Sequence, residues 1–204
     1  MTHFNCHNRV FSYFLFSHDS ESQESADSRK GEYAADSIGG ISIMAFSISS
    51  NNVGIEISQV AIDAARNRLA TLPSSHQPPQ GSAEFQLASF FEMPSDTEDA
   101  KFDFIYDYTF LCALDPSMRK AWASKMSDLV KPGGELFTLI FPISEEREGG
   151  PPFRVSLQIV RDLLEPAGFE AFQLELLPSE LCHPGRDGIS GPYASGIGRW
   201  KRII

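Results

Sequence analysis

The sequence has little that would tie it to a metal, a nucleic acid or a membrane. Its three cysteines, Cys6, Cys112 and Cys182, are far apart, with no C-x-x-C pair and no neighbouring His/Cys ligand set. Neither a disulfide framework nor a zinc site is expected. The five histidines (His3, His7, His18, His76, His183) fall in tail or loop contexts without ligand spacing, so no metal is expected. Basic residues are scarce, 17 against 27 acidic, and the net charge of −10 is relieved by no basic cluster. A phosphate backbone is therefore not an expected partner, and a cationic or neutral small ligand suits the chain better. The apolar stretch at residues 10–16 is short, aromatic and lacks a small-residue cleavage site, so it reads as neither signal peptide nor membrane span. No G-x-S-x-G elbow and no G-x-G-x-x-G before Glu56 are present, which disfavours a serine hydrolase and a nicotinamide dehydrogenase. The expected form is a cytoplasmic monomer with no nucleic-acid or membrane partner.

What is present is the pattern of one α/β domain, at residues 38–204, behind a poorly ordered N-terminal extension at 1–37. Residues 17–37 are poor in apolar side chains and rich in Ser, Asp and Glu, a composition that cannot bury enough surface to order itself. Residues 38–50 turn apolar after Gly39 and Gly40 and suit a strand or a buried helix. A strand at 53–57 leads into a helix capped by Ser58, with Val60, Ala61, Ala64, Ala65 and Leu69 on one face. A short strand at 83–87 follows a proline-rich loop.

The organising stretch is 101–141: an apolar strand ending in Asp107 and Tyr108, a helix, a Lys131-Pro132-Gly133-Gly134 turn and a second apolar strand. Such a βαβ unit puts the polar residues that end its first strand at the rim where ligands bind. The charged, Gly/Pro-rich loop at 143–152 is long enough to act as a lid. A helix at 155–164 and strands at 169–177 and 196–204 complete the chain, the last two joined by a loop alone and so expected to pair antiparallel.

Several residues carry candidate chemistry. Glu56 ends an early strand, where a carboxylate can accept two hydrogen bonds from ribose hydroxyls; it can equally serve the dipole of the following helix. Asp107, with aromatic faces from Tyr108, Phe110, Phe90 and Phe91, could hold a cationic sulfonium, although phenylalanines are commonly core. Cys112 sits in an apolar run without a basic neighbour and reads as a buried structural thiol.

Together VGIEIS (53–58), ASFFE (88–92), the long block at 102–143, GGPPF (149–153) and GRWKR (198–202) resemble the plant and fungal thiol/halide methyltransferases of the thiopurine S-methyltransferase class. The resemblance implies a class I fold: a Rossmann-like, mostly parallel α/β sheet with an antiparallel C-terminal strand. It also implies S-adenosyl-L-methionine (SAM) as cofactor and transfer of its methyl group to a small thiol or halide. Carried over by position, Gly40, Glu56, Ser89, Phe90 and Tyr108 would bind the cofactor. Asp107 and Tyr108 would be catalytic, Asp107 being the candidate for a general base. Phe110, Gly149, Gly150, Pro151 and Arg199 would bind the substrate. Three differences stand out: Asp36-Ser37-Ile38-Gly39-Gly40 replaces the family's GCGxG loop, Ser89 replaces an acid, and a tryptophan-rich N-terminal segment is missing. A second reading follows from them, a catalytically inactive methyltransferase-like protein whose SAM-binding glycine loop is lost or mis-spliced.

Overall fold

The computed structural model describes residues 9–13 (as backbone), 50–71, 81–144, 149–182 and 194–204. Gly40, and all of the expected extension except a strand within it, lie outside these residues. Two compact units divide the chain, Met1–Phe90 and Phe91–Ile204.

In the first unit β1 (Arg9–Tyr13), β2 (Ser50–Glu56) and β3 (Gly81–Leu87) run parallel with β2 in the middle. Helix α1 (Gln59–Thr71) connects β2 to β3. Ser58 caps it as expected, its hydroxyl accepting from the Ala61 N–H at 3.4 Å. The buried face is Ala61, Ile62 and Ala65. Val60, expected on that face, is instead 68% exposed and Ala64 is exposed as well, because the buried stripe runs through Ala61, Ile62 and Ala65.

The second unit holds β4 (Phe102–Tyr108), α2 (Arg119–Leu129), β5 (Val130–Ile143), α3 (Leu157–Leu164), β6 (Phe169–Leu176) and β7 (Ala194–Arg202). Its strand order is β4-β5-β7-β6, with β4 and β5 parallel and β7 antiparallel to both neighbours. The antiparallel C-terminal strand is thus present. Helix α2 follows a single 3-10 turn opened by Asp115, whose carboxylate accepts from Ser117 N–H at 2.9 Å. Its buried Trp122, Ala123, Met126 and Leu129 recur at helical spacing. Ser156 caps α3 by accepting from Ile159 N–H at 3.1 Å. The core gathers Phe102, Ile105, Leu136, Val160, Leu164 and Trp200, each at most 1% exposed.

The expected Lys131–Gly134 turn takes an unexpected form. Strand β5 begins at Val130, opposite Phe102, and the next paired position is Phe104 with Glu135, so residues 131–134 bulge out of the ladder. Lys131 Nζ lies 3.0 Å from Asp103 Oδ2 and fastens the bulge to β4. Gly133 has φ of 76°, and a Cβ on Gly134 would lie 2.9 Å from Lys131 O and 3.0 Å from Asp103 O. Backbone atoms on two sides leave no room for it. Gly134→Ala is therefore expected to lower the unfolding free energy by about 1–3 kcal/mol, measured as a shift of the urea midpoint at unchanged m-value.

Candidate functional site

At the carboxyl end of β2, Glu56 is 5% exposed. Its Oε1 accepts from the backbone N–H groups of Ile57 (2.8 Å) and Ser58 (3.0 Å), the residues that lead into α1. These bonds fix the carboxylate where the strand ends. Beside it Ile57 and Leu87, which ends β3, are 64% and 54% exposed. Apolar side chains left open next to an oriented carboxylate can take the flat base and the diol of a nucleoside. Ile57 was not singled out in the sequence; being the apolar residue directly after a strand-end acid was its signal. Ser89 is half-buried close by in sequence, whereas Phe90 is only 1% exposed. Phe90 is therefore a core residue here and not an open aromatic wall, because its ring turns inward at the start of a 3-10 turn.

In the second unit the end of β4 is built around Asp107. The side chain is 1% exposed. Its Oδ1 accepts from the N–H groups of Phe110 (3.1 Å) and Leu111 (3.3 Å), and its Oδ2 from the indole N–H of Trp122 (2.9 Å). Between acceptor and donors the chain passes through Thr109 in the left-handed region, φ 63°. The Thr109 hydroxyl donates to Tyr108 O at 2.6 Å, and the Cys112 thiol to Thr109 O at 3.1 Å. Cys112 is buried, as expected.

This geometry changes the role expected of Asp107. Both oxygens are engaged by N–H donors in a buried position, the arrangement of a carboxylate that holds a turn. Its pKa is raised from 3.8 to about 6: burial pushes it up, and the Leu111, Trp122 and Phe110 donors hold it down less strongly. Tyr106 has its pKa raised, first by burial and then by Tyr108 and Asp107. Its ring stands 5.9 Å from that of Tyr108 and edge-on to Phe137 at 5.3 Å. Tyr108 itself is half-buried at the strand end.

The GGPPF segment is tied to the same corner. Phe153 N–H donates to Cys112 O at 2.5 Å, and Val155 N–H to Pro142 O at 3.0 Å. A Cβ on Gly150 would meet the Phe153 ring at 2.4 Å, so glycine is required for the ring to fold back over the loop. Gly149, Gly150 and Pro151 are exposed, while residues 145–148 of the expected lid lie outside the described residues. Arg119, the first residue of α2, donates from Nη2 to Arg154 O at 2.8 Å, and its Nε is buried without a hydrogen-bond partner. Burial lowers the pKa of this guanidinium, Arg154 adds to that, and Cys112 and Asp115 oppose it. Sequence reading passed over Arg119. A cation on the first turn of a helix, against the dipole, was the available signal.

Two expected substrate residues stand elsewhere. Phe110 is 2% exposed and belongs to the core; what it offers the site is its backbone N–H. Arg199 pairs with Glu135 through both nitrogens, Nε at 2.6 Å and Nη2 at 3.1 Å, and lies over the Phe172 ring at 4.6 Å. It faces Phe137 on β5, before the register of Tyr108 with Leu139. The guanidinium is thus occupied within the sheet and not at the strand ends. Among the described residues no His/Cys/Asp/Glu cluster could hold a metal, and no helix is long and apolar enough to cross a membrane.

Comparison with solved structures first defines the fold. A SAM-dependent methyltransferase from Methanosarcina mazei aligns over 98% of this chain and 95% of its own, with a TM-score of 0.67 at 16% identity. The fold is that of the Rossmann-like methyltransferases, mostly parallel with one antiparallel strand. The family model described as thiopurine S-methyltransferase matches residues 39–186. The probable thiol methyltransferase 2 of Arabidopsis thaliana is 40% identical over 151 residues, which cover 74% of this chain and 59% of that protein. Thiocyanate methyltransferase 1 of Brassica oleracea is 35% identical over 153 residues, covering 74% and 60%. The chain belongs to the thiopurine S-methyltransferase family, and the matched region spans about three fifths of these curated relatives.

The raised pKa of Asp107 has a thermodynamic sign. The folded protein binds this proton more tightly than the unfolded chain, so the group's contribution to stability is greatest below pH 3.8 and is lost as pH rises to about 6. The loss amounts to about 3 kcal/mol for a two-unit rise. Unfolding free energies of wild type and Asp107→Asn, measured by urea from pH 4 to 7, are expected to diverge, the wild type falling relative to the variant as pH increases.

Proposed function

We propose that this protein transfers the methyl group of SAM to a small, soft, anionic acceptor, a thiolate or a halide-like ion. The observation that carries the acceptor side is Arg119, a buried guanidinium with an unmet Nε donor, bonded to the residue that follows the GGPPF loop. A buried cation with a spare donor is best completed by an anion. In a chain of net charge −10 such a local cation is needed to draw an anion in.

On the cofactor side the residues present fit the proposed group. Glu56, held by two backbone N–H groups, would accept from the ribose hydroxyls, with Ile57 and Leu87 against the base and Ser89 at its edge. In the second unit Tyr108, half-buried at the end of β4, has a ring face of the kind that suits a sulfonium charge. Bound SAM supplies an electrophilic methyl on a positively charged sulfur with a neutral thioether as leaving group. A thiolate or halide already carries the electron pair for in-line attack, so this chain needs no general base, consistent with an Asp107 committed to a turn. Its residues serve by orienting the acceptor and excluding water. The presence of two relatives that methylate thiols or thiocyanate by name supports the same acceptor class.

Isothermal titration with SAM and S-adenosylhomocysteine tests the cofactor half. Binding in the micromolar range, weakened by about tenfold or more in Glu56→Ala, is expected; no heat at millimolar ligand supports instead the reading in which the fold is kept and catalysis is lost. For the acceptor half, Arg119→Met is expected to raise the KM for sulfide, thiocyanate or iodide by roughly 10- to 100-fold at unchanged SAM affinity. An unchanged KM would remove Arg119 from the site.

A further inference from the structure

We propose that Trp122 is a positioning residue for the acceptor side, its indole N–H fixing Asp107 so that the Tyr108-Thr109-Phe110 turn keeps a single conformation. The inference rests on the methyltransferase reading for its consequence, but on local geometry for its mechanism. Thr109 is β-branched and adopts φ 63°, a conformation that persists in such a residue only when its surroundings over-determine it. The bond from its own hydroxyl to Tyr108 O is local and does not select the turn, and the Cys112 thiol is a weak donor. What brackets Thr109 is Asp107, two residues before it, accepting through Oδ1 from Phe110 and Leu111 after it.

A carboxylate held by one oxygen can still swing about its last torsion. The second oxygen is held by Trp122, fifteen residues on, 2.9 Å away and 0% exposed. The indole is packed in α2 beside Ala123 and Met126, so its single N–H cannot follow a moving partner. The core thereby dictates the direction of the carboxylate, and the carboxylate dictates the turn. Tyr108 opens that turn, and Cys112, just past it, receives the Phe153 N–H of the GGPPF loop. Trp122 also lies one helical turn from Arg119, so one helix carries both the cation and the anchor of the turn.

The test compares Trp122→Phe with Trp200→Phe in the full chain. Trp200 is likewise 0% exposed and likewise spends its indole N–H on one buried acceptor, Thr138 Oγ1 at 3.1 Å, but in β7 and outside the turn. Both variants are expected to lower Tm. Trp122→Phe alone is expected to reduce kcat by about tenfold with SAM affinity within about twofold, and to speed amide exchange at Phe110 and Leu111 by about tenfold. Trp200→Phe should leave kcat and those two amides within about twofold of wild type. Rescue supplies the third arm. In Asp107→Asn the amide hydrogens face the indole N–H, two donors without an acceptor. Adding Trp122→Phe removes that conflict while the amide oxygen still accepts from Phe110 and Leu111, so the double variant should recover relative to Asp107→Asn. Equal loss of kcat and equal amide exchange in the two tryptophan variants would overturn the proposal, as would a double variant no better than Asp107→Asn. If the wild type neither binds SAM nor turns over, the methyltransferase reading fails by itself. The amide exchange of the two tryptophan variants then still decides whether Trp122 holds the turn.

Discussion

The second unit depends on a carboxylate taken out of water at the end of a strand. Burying Asp107 is costly, and three N–H donors do not fully offset it, since its pKa still rises to about 6. The cost is tolerated because those donors lie on two different parts of the chain. Phe110 and Leu111 belong to the turn that leaves β4, and Trp122 belongs to the helix packed behind it. A hydrophobic residue at 107 would remove the desolvation cost but leave two backbone N–H groups and an indole N–H unsatisfied in the core. A buried polar group of this kind adds little net stability and specifies one arrangement among several.

Glu56 and Asp107 show how far the sequence could be read. Both are acids that close an apolar strand before a helix, and in the sequence they look alike. Glu56 takes its visible partners from the next two residues, Ile57 and Ser58, and its orientation follows from the strand-to-helix path alone. Asp107 takes one of its partners from fifteen residues away, and no local pattern announces that. An unpaired donor was nonetheless legible: an indole on the inner face of α2 must find an acceptor when buried, and a strand-end acid in the same βαβ unit was available.

The same division runs through the rest of the chain. Strand and helix order, the Ser58 cap and the antiparallel C-terminal strand were legible because each rests on a period or a cap within a few residues. The roles of Phe90, Phe110 and Arg199 were not. An aromatic side chain near a strand end can turn inward or outward without any change in local pattern, and Phe90 and Phe110 turn inward. Arg199 is claimed by Glu135, sixty-four residues earlier and two strands' worth of chain away, an ion pair that only the β5–β7 register creates. Arg119 was missed for the opposite reason. Its signal is a local anomaly, a cation where the helix dipole disfavours one, and anomalies are lost when a sequence is read for its regularities.

The acceptor-side elements form one mechanical chain. Trp122 holds Asp107, Asp107 holds the turn, Cys112 past the turn takes the Phe153 N–H, and Arg119 takes the carbonyl of Arg154. The loop is therefore fastened at two successive residues, one to the turn and one to the helix that anchors the turn. A shift of α2 relative to β4 would move both fastenings at once. That coupling fits the proposed transfer to a soft nucleophile. Chemistry that needs a proton moved requires a titratable group free to change state at the reacting atoms, and here Asp107 at the end of β4 is locked into structure. Chemistry that needs only alignment and a dry, positively charged surrounding draws on what the fold makes rigid.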